Sequence, residues 1–342
     1  MTDPVIRLRA LTKLFDRKAE AELRRTADRH ARAALLEAHR ADLALRDVDL
    51  DVRRGQIQVV MGLSGSGKST LVRHINRLIE PSSGTVEVDG QDMLALSPGA
   101  LLEFRRKRIS MVFQRFSLLP HRTVLDNVAY GLKAAGVARR ERLDKAHVWI
   151  ERVGLRGEER RFPAQLSGGM QQRVGLARAL ATDTDILLMD EAFSALDPLI
   201  RRDMQTLLMG LQSELGRTIV FITHDLDEAL RLGSRIAILK DGQLVQEGAG
   251  QEIVLSPADD YVAAFVADVD RGRVLTVGDL AVPAREEPAQ LRIESRVSLR
   301  DAARMMVENE ASRADIVSPE GNRMGQAELR GIVAALTLPG RM

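Results

Sequence analysis

The feature that most constrains this chain is the order of three short motifs along it. Residues 62–70 read Gly-Leu-Ser-Gly-Ser-Gly-Lys-Ser-Thr, residues 166–173 read Leu-Ser-Gly-Gly-Met-Gln-Gln-Arg, and Asp190-Glu191 end an apolar run. The first motif is a phosphate loop, a glycine-rich turn between a strand and a helix whose backbone N–H groups bind phosphate oxygens. Many nucleotide-binding proteins carry such a loop, but far fewer place Leu-Ser-Gly-Gly between it and an Asp-Glu pair. The combination predicts an ATP-binding protein of a narrow class.

The phosphate loop contains each residue type that its chemistry needs. Gly62 and Gly67 let backbone N–H groups turn toward the β- and γ-phosphates, and Lys68 adds a positive charge beside the same oxygens. The Ser69 hydroxyl is predicted to ligate Mg²⁺, and Thr70 to reach the α-phosphate. The remaining predicted ATP-binding residues of the loop are Ser64, Gly65 and Ser66. A Gly/Ser-rich turn that merely starts a helix is the alternative, which the flanking strand and helix patterns disfavour.

The acidic pair follows the apolar run 186–189, which is predicted to be a buried parallel strand. Binding crevices of open parallel sheets form at the carboxyl ends of the strands. Asp190 is therefore predicted to hold Mg²⁺, usually through water. Glu191 is predicted to act as the base, or the orienting carboxylate, for the water that attacks the γ-phosphate. An isolated Asp-Glu pair would more often be the acidic start of a helix, so this interpretation depends on the neighbouring motifs.

Taken together, these motifs resemble the ATP-binding cassette, the motor subunit of an ABC transporter, over about residues 5–268. The resemblance implies an α/β fold, a P-loop NTPase ABC cassette with a RecA-like core, a β-subdomain and a helical subdomain. It also implies a homodimer of cassettes packed head-to-tail. Each ATP would then lie between the phosphate loop of one copy and the Leu-Ser-Gly-Gly segment of the other, so that ATP holds the dimer together and hydrolysis releases it.

Several residues receive a role only through this resemblance. Gln114, at the end of a predicted strand, would touch Mg²⁺ or the attacking water, and His224, after the strand 219–223, would contact the γ-phosphate. Outside this setting, either residue would more often be structural. Phe15 would stack on adenine, although a phenylalanine there could equally belong to the core. The ATP-contacting residues at the dimer seam would be Ser167, Gly168, Gly169, Gln171 and Asp197.

With the residues that the resemblance adds, the predicted catalytic residues and the predicted metal ligands can be stated in full. The catalytic group is Lys68, Gln114, Glu191 and His224. The metal-binding group is Ser69, Gln114 and Asp190. The implied cofactors are ATP and Mg²⁺.

One branch of the family matches further stretches. Residues 61–63, 76–81, 190–199 and 224–229, with a helical insertion at 17–43, resemble the ATPase subunit of glycine betaine/proline importers. This implies ATP-driven import of a quaternary amine osmoprotectant. The implied partners are two integral-membrane permease subunits, contacted around residues 115–130, and indirectly an extracytoplasmic substrate-binding protein.

Three other classes of protein are alternatives to this one. An importer of another small solute, such as choline or an amino acid, would use the same cassette, because this subunit never touches the solute. A soluble ABC ATPase serving translation or DNA repair generally contains two cassettes or a very long coiled coil, and the sequence shows neither. A phosphate-loop kinase would lack the 166–173 motif.

The domain organisation is predicted from shifts in composition. Residues 1–268 would form the cassette, with the helical insertion at 17–43 and a region at about 97–180 that includes the helical subdomain. Residues 269–296, with Pro283 and Pro288, would form a linker, and 297–342 a single CBS-like motif of α+β structure.

The C-terminal segment resembles one CBS motif through a short series of elements. These are a helix at 299–308, a strand at 314–317, a turn at 320–321 and a helix from about Gln326. Importers of this branch usually carry two such motifs that pair within one chain. Here two single motifs of a homodimer would pair with each other, or the segment would only pack.

Composition limits the partners and the compartment. The 342 residues include no cysteine, no apolar stretch of the roughly 18 residues that a membrane span needs, and no signal-peptide pattern. The formal charge is only +2 and aromatic residues are 3% of the chain, which argues against a nucleic-acid partner. We therefore expect a peripheral protein at the cytoplasmic face of the inner membrane, held there by other subunits.

Overall fold

The computed structural model describes residues 3–114, 117–283 and 287–337. The chain forms two compact units, Met1–Leu244 and Val245–Met342. The division falls earlier than residue 268, where the sequence places the end of the cassette, and that domain assignment remains a prediction. Within the described ranges, no helix is long and apolar enough to cross a membrane.

Strands and helices alternate along most of the chain. The strands are β1 (Pro4–Leu14), β2 (Leu43–Arg53), β3 (Ile57–Met61), β4 (Ser83–Val88), β5 (Gln91–Asp92), β6 (Ile109–Val112), β7 (Ile186–Asp190), β8 (Thr218–Thr223), β9 (Arg235–Lys240), β10 (Gln243–Gly248), β11 (Leu291–Glu294), β12 (Arg313–Val317) and β13 (Arg323–Glu328). The α-helices are α1 (Arg17–Arg25), α2 (Arg29–Ala38), α3 (Lys68–Ile75), α4 (Pro98–Arg108), α5 (Val124–Val128), α6 (Tyr130–Ala134), α7 (Arg139–Arg152), α8 (Gly168–Ala181), α9 (Pro198–Leu215), α10 (Leu226–Leu232), α11 (Gly250–Leu255), α12 (Asp260–Val266), α13 (Arg271–Val274), α14 (Leu299–Glu308) and α15 (Leu329–Thr337). Short 3-10 turns lie at Arg40–Asp42, Pro163–Gln165 and Val277–Leu280.

The central sheet has the strand order β10-β9-β3-β8-β7-β6. β3 pairs in parallel with β8 and β9, and β7 pairs in parallel with β6 and β8. Every residue of β3, β7 and β8 is buried, as expected for parallel strands covered on both faces. Met61 lies beside Thr223, and Asp190 beside Ile222, so the loops after these three strands leave the sheet at one edge. The predicted ATP-binding residues of the loop, the acidic pair and His224 follow these strand ends.

An antiparallel sheet of order β2-β1-β4-β5 lies in the same unit. Buried residues of its strands, such as Leu8 and Val86, share one hydrophobic core with Val60 of β3 and Leu71 of α3. The segment between β1 and β2, predicted to be a helical insertion, forms α1 and α2. The carboxylates of Asp16 and Asp28 cap these helices by accepting hydrogen bonds from first-turn N–H groups.

Helices α5 to α8 fall within the predicted helical subdomain. α7 packs against α5 and α8. Its buried Trp149 lies under the guanidinium groups of Arg152 and Arg217, at 4.9 and 5.8 Å from the ring centroid. α8 is mostly buried, but its first turn follows the exposed Ser167 and Gly168. The Leu-Ser-Gly-Gly segment is therefore presented at an exposed helix start.

In the second unit, β11 pairs in parallel with β12, and β12 pairs antiparallel with β13. The predicted helix at 299–308 is present as α14. The prediction of a helix from about Gln326 is wrong, because that residue lies in β13 and α15 begins at Leu329. The Gln326 side chain is 2% exposed, and its amide donates to Asp315 Oδ1 of β12 at 2.9 Å. This cross-strand hydrogen bond satisfies a buried polar side chain in the strand.

The predicted linker also contains regular structure. α13, a 3-10 turn and β11 all fall within residues 269–296. β11 has the sequence Leu-Arg-Ile-Glu and buries only Ile293, so it carries little hydrophobic signal of its own.

Candidate nucleotide site

The phosphate loop joins β3 to α3 and passes very close to neighbouring backbone. Gly62 has φ 150° and Gly67 φ 97°. A Cβ atom on Gly62 would lie 2.2 Å from Leu239 O, and one on Gly67 would lie 2.4 Å from Ala44 O, so neither position accepts a side chain. Gly67 is also the N-cap of α3, where no side chain caps the helix. The first N–H groups of α3 are thus left to an anion.

Lys68 is folded back over this loop. Its side-chain Nζ donates to the carbonyl oxygens of Gly62 at 2.9 Å and Leu63 at 2.8 Å. Burial lowers the pKa of Lys68, while the negative charges of Glu191 and Asp190 act to raise it. The ammonium group is therefore held at the loop, where an entering phosphate can replace the two carbonyl oxygens.

Asp190 ends β7 with a carboxylate that is almost fully buried, the residue being 3% exposed. The Ser69 hydroxyl donates to its Oδ1 at 2.7 Å, and the Arg73 guanidinium donates to its Oδ2 at 3.2 Å. The structure thus brings two of the three predicted metal ligands, Ser69 and Asp190, into direct contact. A serine hydroxyl and a carboxylate are hard oxygen ligands of the kind that Mg²⁺ prefers, so this donor set fits the metal.

Glu191 lies at the meeting point of three strand ends. The Gln114 amide donates to its Oε2 at 3.1 Å, and His224 Nδ1 lies 3.6 Å from the same oxygen. The backbone of Glu191 has φ 46°, a left-handed conformation that non-glycine residues rarely adopt, and its N–H donates to Ile222 O at 3.2 Å. Three of the four predicted catalytic residues, Gln114, Glu191 and His224, are therefore adjacent, and the carboxylate is held by its neighbours.

The start of α8 is arranged differently. Ser167 caps the helix, its Oγ accepting from Met170 N at 3.3 Å. Gln171 donates to the carbonyl oxygens of Pro163 and Leu166 at 3.1 and 3.2 Å. Among the described residues, no hydrogen bond joins Ser167, Gly168, Gly169 or Gln171 to the phosphate loop. Within one chain, the structure therefore does not bring these residues together with the loop.

Among the described residues, no hydrogen bond joins two further predicted residues, Asp197 and Phe15, to this cluster. Asp197 caps α9, accepting from Ile200 N at 3.0 Å. Phe15 is 52% exposed, so it is not a core residue, and Lys13 Nζ lies 5.3 Å from its ring centroid. An exposed aromatic face is what stacking on a base requires.

Sequence reasoning missed one residue of the site. Arg73 contacts Asp190, yet 117 positions separate the two in the chain. The sequence feature that could have indicated this contact is the four-residue spacing between Ser69 and Arg73. Residues four apart on a helix share a face, so a second side chain of α3 was to be expected beside the same carboxylate.

The chain is similar to known proteins along most of its length. Residues 45–194 match the family model described as "ABC transporter". The chain is 51% identical to the glycine betaine transport ATP-binding protein OpuAA of Bacillus subtilis, over 86% of this chain and 70% of that protein. It is 45% identical to the glycine betaine/proline betaine transport system ATP-binding protein ProV of Salmonella typhimurium, over 97% of this chain and 82% of that protein. The chain belongs to the ABC transporter family, as an ATP-binding subunit.

Other relatives of this ABC cassette carry a different solute in their names. It is 46% identical to the trimethylamine N-oxide transport system ATP-binding protein TmoW of Ruegeria pomeroyi, over 98% of both chains. A solved structure of the cassette MJ0796, a dimer in a post-hydrolysis state bound to ADP and Pi, aligns with a TM-score of 0.60 at 33% identity. That alignment covers 71% of this chain and 98% of the other. The predicted P-loop NTPase fold is confirmed, and the protein is an ATPase.

Proposed function

We propose that this ABC ATPase powers the import of glycine betaine, proline betaine or a related quaternary amine. The observation that carries the proposal is the identity of 44–51% to four proteins named for glycine betaine transport, over 81% to 97% of this chain. The helical insertion at α1 and α2 supports the same branch. The permease and the binding protein would select the solute, while the ATPase supplies the energy.

Trimethylamine N-oxide is a second candidate solute. The two relatives named for its transport are 44% and 46% identical to this chain and match it over 95% and 98% of its length. Identity therefore does not separate the two solutes. Both carry a trimethylated nitrogen, so the shared chemistry is a small, net neutral, methylated amine.

The proposed assembly is a homodimer of cassettes beneath two permease subunits, at the cytoplasmic face of the inner membrane. Relatives and solved structures named as transport subunits and dimers support it. The predicted coupling surface spans residues 115–130, of which Arg115 and Phe116 lie outside the described residues. Tyr130, at its other end, is 44% exposed and available for a partner.

In the proposed mechanism, the phosphate loop binds ATP first. The N–H groups at the start of α3 and the Lys68 ammonium bind the β- and γ-phosphates. Ser69, Gln114 and Asp190 would hold Mg²⁺, which when bound would supply positive charge to offset the charge that develops on the phosphoryl oxygens. Phe15 stacks on adenine.

The second half of the site comes from the other copy. The exposed start of α8, with Ser167 to Gly169, supplies helix N–H groups to the γ-phosphate of the opposite protomer, and Asp197 lies at the seam. The separation of this segment from the loop within one chain supports such an arrangement. ATP would then join the two cassettes.

Hydrolysis follows at Glu191. Its carboxylate accepts a proton from the attacking water, while Gln114 and His224, which contact the same carboxylate, keep the water and the γ-phosphate in line. Loss of the γ-phosphate removes the bond between the copies, and the dimer opens. The coupling surface would transmit this movement of the cassettes to the permease subunits.

For residues 297–342 of the second unit we propose a single CBS-like motif that contains α14, β12, β13 and α15, with β11 of the predicted linker paired to β12. The order of these elements, with two parallel strands and a third antiparallel one, supports this assignment. Two such motifs of a homodimer would pair with each other, or each would only pack.

Transport in a reconstituted system tests the solute. The protein is placed in liposomes with its permease and binding protein, and uptake of labelled glycine betaine is measured with internal ATP. We expect uptake that needs ATP and that excess unlabelled glycine betaine suppresses. Uptake suppressed only by trimethylamine N-oxide would transfer the assignment to that solute, and ATP hydrolysis without uptake of either would contradict both.

A further inference from the structure

One helix, α3, contacts both oxygens of the Asp190 carboxylate. Ser69 Oγ donates to Oδ1 at 2.7 Å, and Arg73 NH2 donates to Oδ2 at 3.2 Å. Ser69 and Arg73 are four residues apart, so they lie on one face of the helix, one turn from each other. Each oxygen of the carboxylate therefore has its own partner.

The buried carboxylate needs a compensating positive charge. A charge removed from water is costly unless it is paired and hydrogen-bonded, and Asp190 is 3% exposed. The nearby Lys68 ammonium is hydrogen-bonded to the loop carbonyls of Gly62 and Leu63. Among the ion pairs of the described residues, Arg73 is the cation in direct contact with Asp190.

The two sides of this ion pair differ in their freedom to move. The Arg73 side chain is 43% exposed, whereas that of Asp190 is 4% exposed. The long arginine side chain can thus withdraw into solvent, while the carboxylate stays at the end of a buried strand. An arrangement of this kind allows one cation to be exchanged for another at a fixed carboxylate.

We propose that Arg73 is a positioning residue for the metal site. Its guanidinium neutralises and orients Asp190 in the metal-free protein, and it gives up Oδ2 when Mg²⁺ arrives with ATP. The proposal rests on the assignment of Ser69 and Asp190 to Mg²⁺ in the proposed function. The new element is that Mg²⁺ must displace the Arg73 guanidinium from Asp190 in order to bind.

If Mg²⁺ replaces Arg73 at Asp190, the Arg73→Ala substitution should change the affinity for ATP in opposite directions with and without the metal. Without Arg73, Mg²⁺ has no cation to displace, so ATP binds more tightly with the metal. The uncompensated Asp190 repels the phosphates when metal is absent, so ATP then binds more weakly. The ratio of the Kd in EDTA to the Kd in Mg²⁺ should rise about two- to fivefold, the effect of one partly exposed ion pair.

Equilibrium binding of a non-hydrolysable fluorescent ATP analogue measures this ratio without turnover. Arg73→Lys keeps a positive charge and should give an intermediate ratio. Lys107→Ala is the control for net charge, because Lys107 pairs with Glu103 at 2.7 Å on the exposed face of α4. Its ratio should equal that of the unmodified protein. A ratio that stays unchanged or falls in Arg73→Ala overturns the proposal.

Asp190→Asn separates this proposal from the function on which it rests. If Asp190→Asn brings the ratio close to one while Arg73→Ala leaves it unchanged, Asp190 binds the metal and only the role of Arg73 is wrong. If Asp190→Asn leaves the ratio unchanged, the metal assignment itself fails. Circular dichroism and thermal unfolding of each variant show whether it is folded.

Discussion

The Gln114 side-chain amide donates a 3.1 Å hydrogen bond to Oε2 of Glu191, although 77 positions separate the two residues. The contact arises because β6 and β7 are parallel neighbours, so the residues that follow their carboxyl ends meet at one sheet edge. Gln114, predicted to bind the metal or the attacking water, is therefore in direct contact with Glu191, the predicted base.

The dimer seam is tested by Ser167→Arg. A bulky cation at the start of α8 should prevent the two copies from closing on ATP and lower turnover about 100-fold, the loss expected when a charge-stabilising donor is removed. ATP binding to the monomer should be unchanged, because Ser167 makes no described contact with the phosphate loop. ATPase rate and nucleotide Kd are measured on the same preparation.

Ser97→Arg is the control for Ser167→Arg. Ser97 caps α4, accepting from Ala100 N at 3.4 Å, so the substitution removes a helix cap of the same kind outside the proposed seam. Each lost cap costs about 1 kcal/mol of stability. Equal loss of turnover in both variants, or weaker monomeric ATP binding in Ser167→Arg, would contradict a role across the dimer.

Adenine stacking is tested by Phe15→Ala. Removing the exposed ring should weaken ATP binding about tenfold, since base stacking contributes about 1–3 kcal/mol. Phe15→Tyr keeps the ring and should bind normally. Phe162→Ala, at another phenylalanine that is 43% exposed, serves as the control. An unchanged Kd for Phe15→Ala would show that the base stacks elsewhere.

His74 gives a prediction about pH. Burial lowers its pKa to about 4, against 6.5 ordinarily, although its Nδ1 contacts Thr70 O at 2.6 Å. The folded state therefore favours the neutral ring. The stability from His74 is complete above pH 6.5 and is lost as the pH falls toward 4, by about 3 kcal/mol in all.

Histidine ring NMR measures that pKa directly. The His74 signal of the folded protein should not titrate between pH 8 and pH 5, whereas in concentrated urea it should titrate near the ordinary value of about 6.5. A folded-state transition near pH 6.5 would contradict the prediction.

Asp315 is the corresponding test in the second unit. Burial alone would raise its pKa, but hydrogen bonds from Gln326, Ala289 N–H and Arg323 outweigh this and the pKa is lowered. The ionised carboxylate thus stabilises the unit above its ordinary pKa, and this is lost as the pH falls below it. Asp315→Asn should destabilise the unit by about 1–3 kcal/mol.

Hydrogen exchange of residues 291–337 measures the effect of Asp315→Asn within the second unit. Glu294→Gln, at an exposed carboxylate of the neighbouring β11, makes the same chemical change and should leave exchange unaltered. Equal exchange rates in Asp315→Asn and the unmodified protein would show that the buried network contributes nothing.

The residues at the carboxyl edge of the central sheet could be predicted because each is marked by a short motif next to an apolar strand. The phosphate loop, Asp190 and His224 each follow a short apolar strand, and strand ends of a parallel sheet converge. Arg73 was missed because its contact with Asp190 exists only once α3 packs beside β7. The spacing of Arg73 from Ser69 shows that the two share a helix face, but it does not show which strand that face packs against.

The second unit was harder to predict for a related reason. β13 reads Arg-Met-Gly-Gln-Ala-Glu, which has little strand propensity. It forms nonetheless because Gln326 binds Asp315 across the sheet. A Cβ atom on Gly325 would lie 2.5 Å from Val282 O, so only glycine permits that close approach. Tertiary contacts of this kind override local propensity.

The most direct test of the central claim is size-exclusion chromatography of Glu191→Gln with ATP and Mg²⁺. Glutamine can still accept the hydrogen bond from Gln114 but cannot take a proton from water, so turnover should fall by at least about 100-fold while ATP binding persists. Glu191→Gln should therefore form an ATP-dependent dimer that the unmodified protein does not accumulate. Hydrolysis near the unmodified rate, or a monomer with ATP bound, would contradict it.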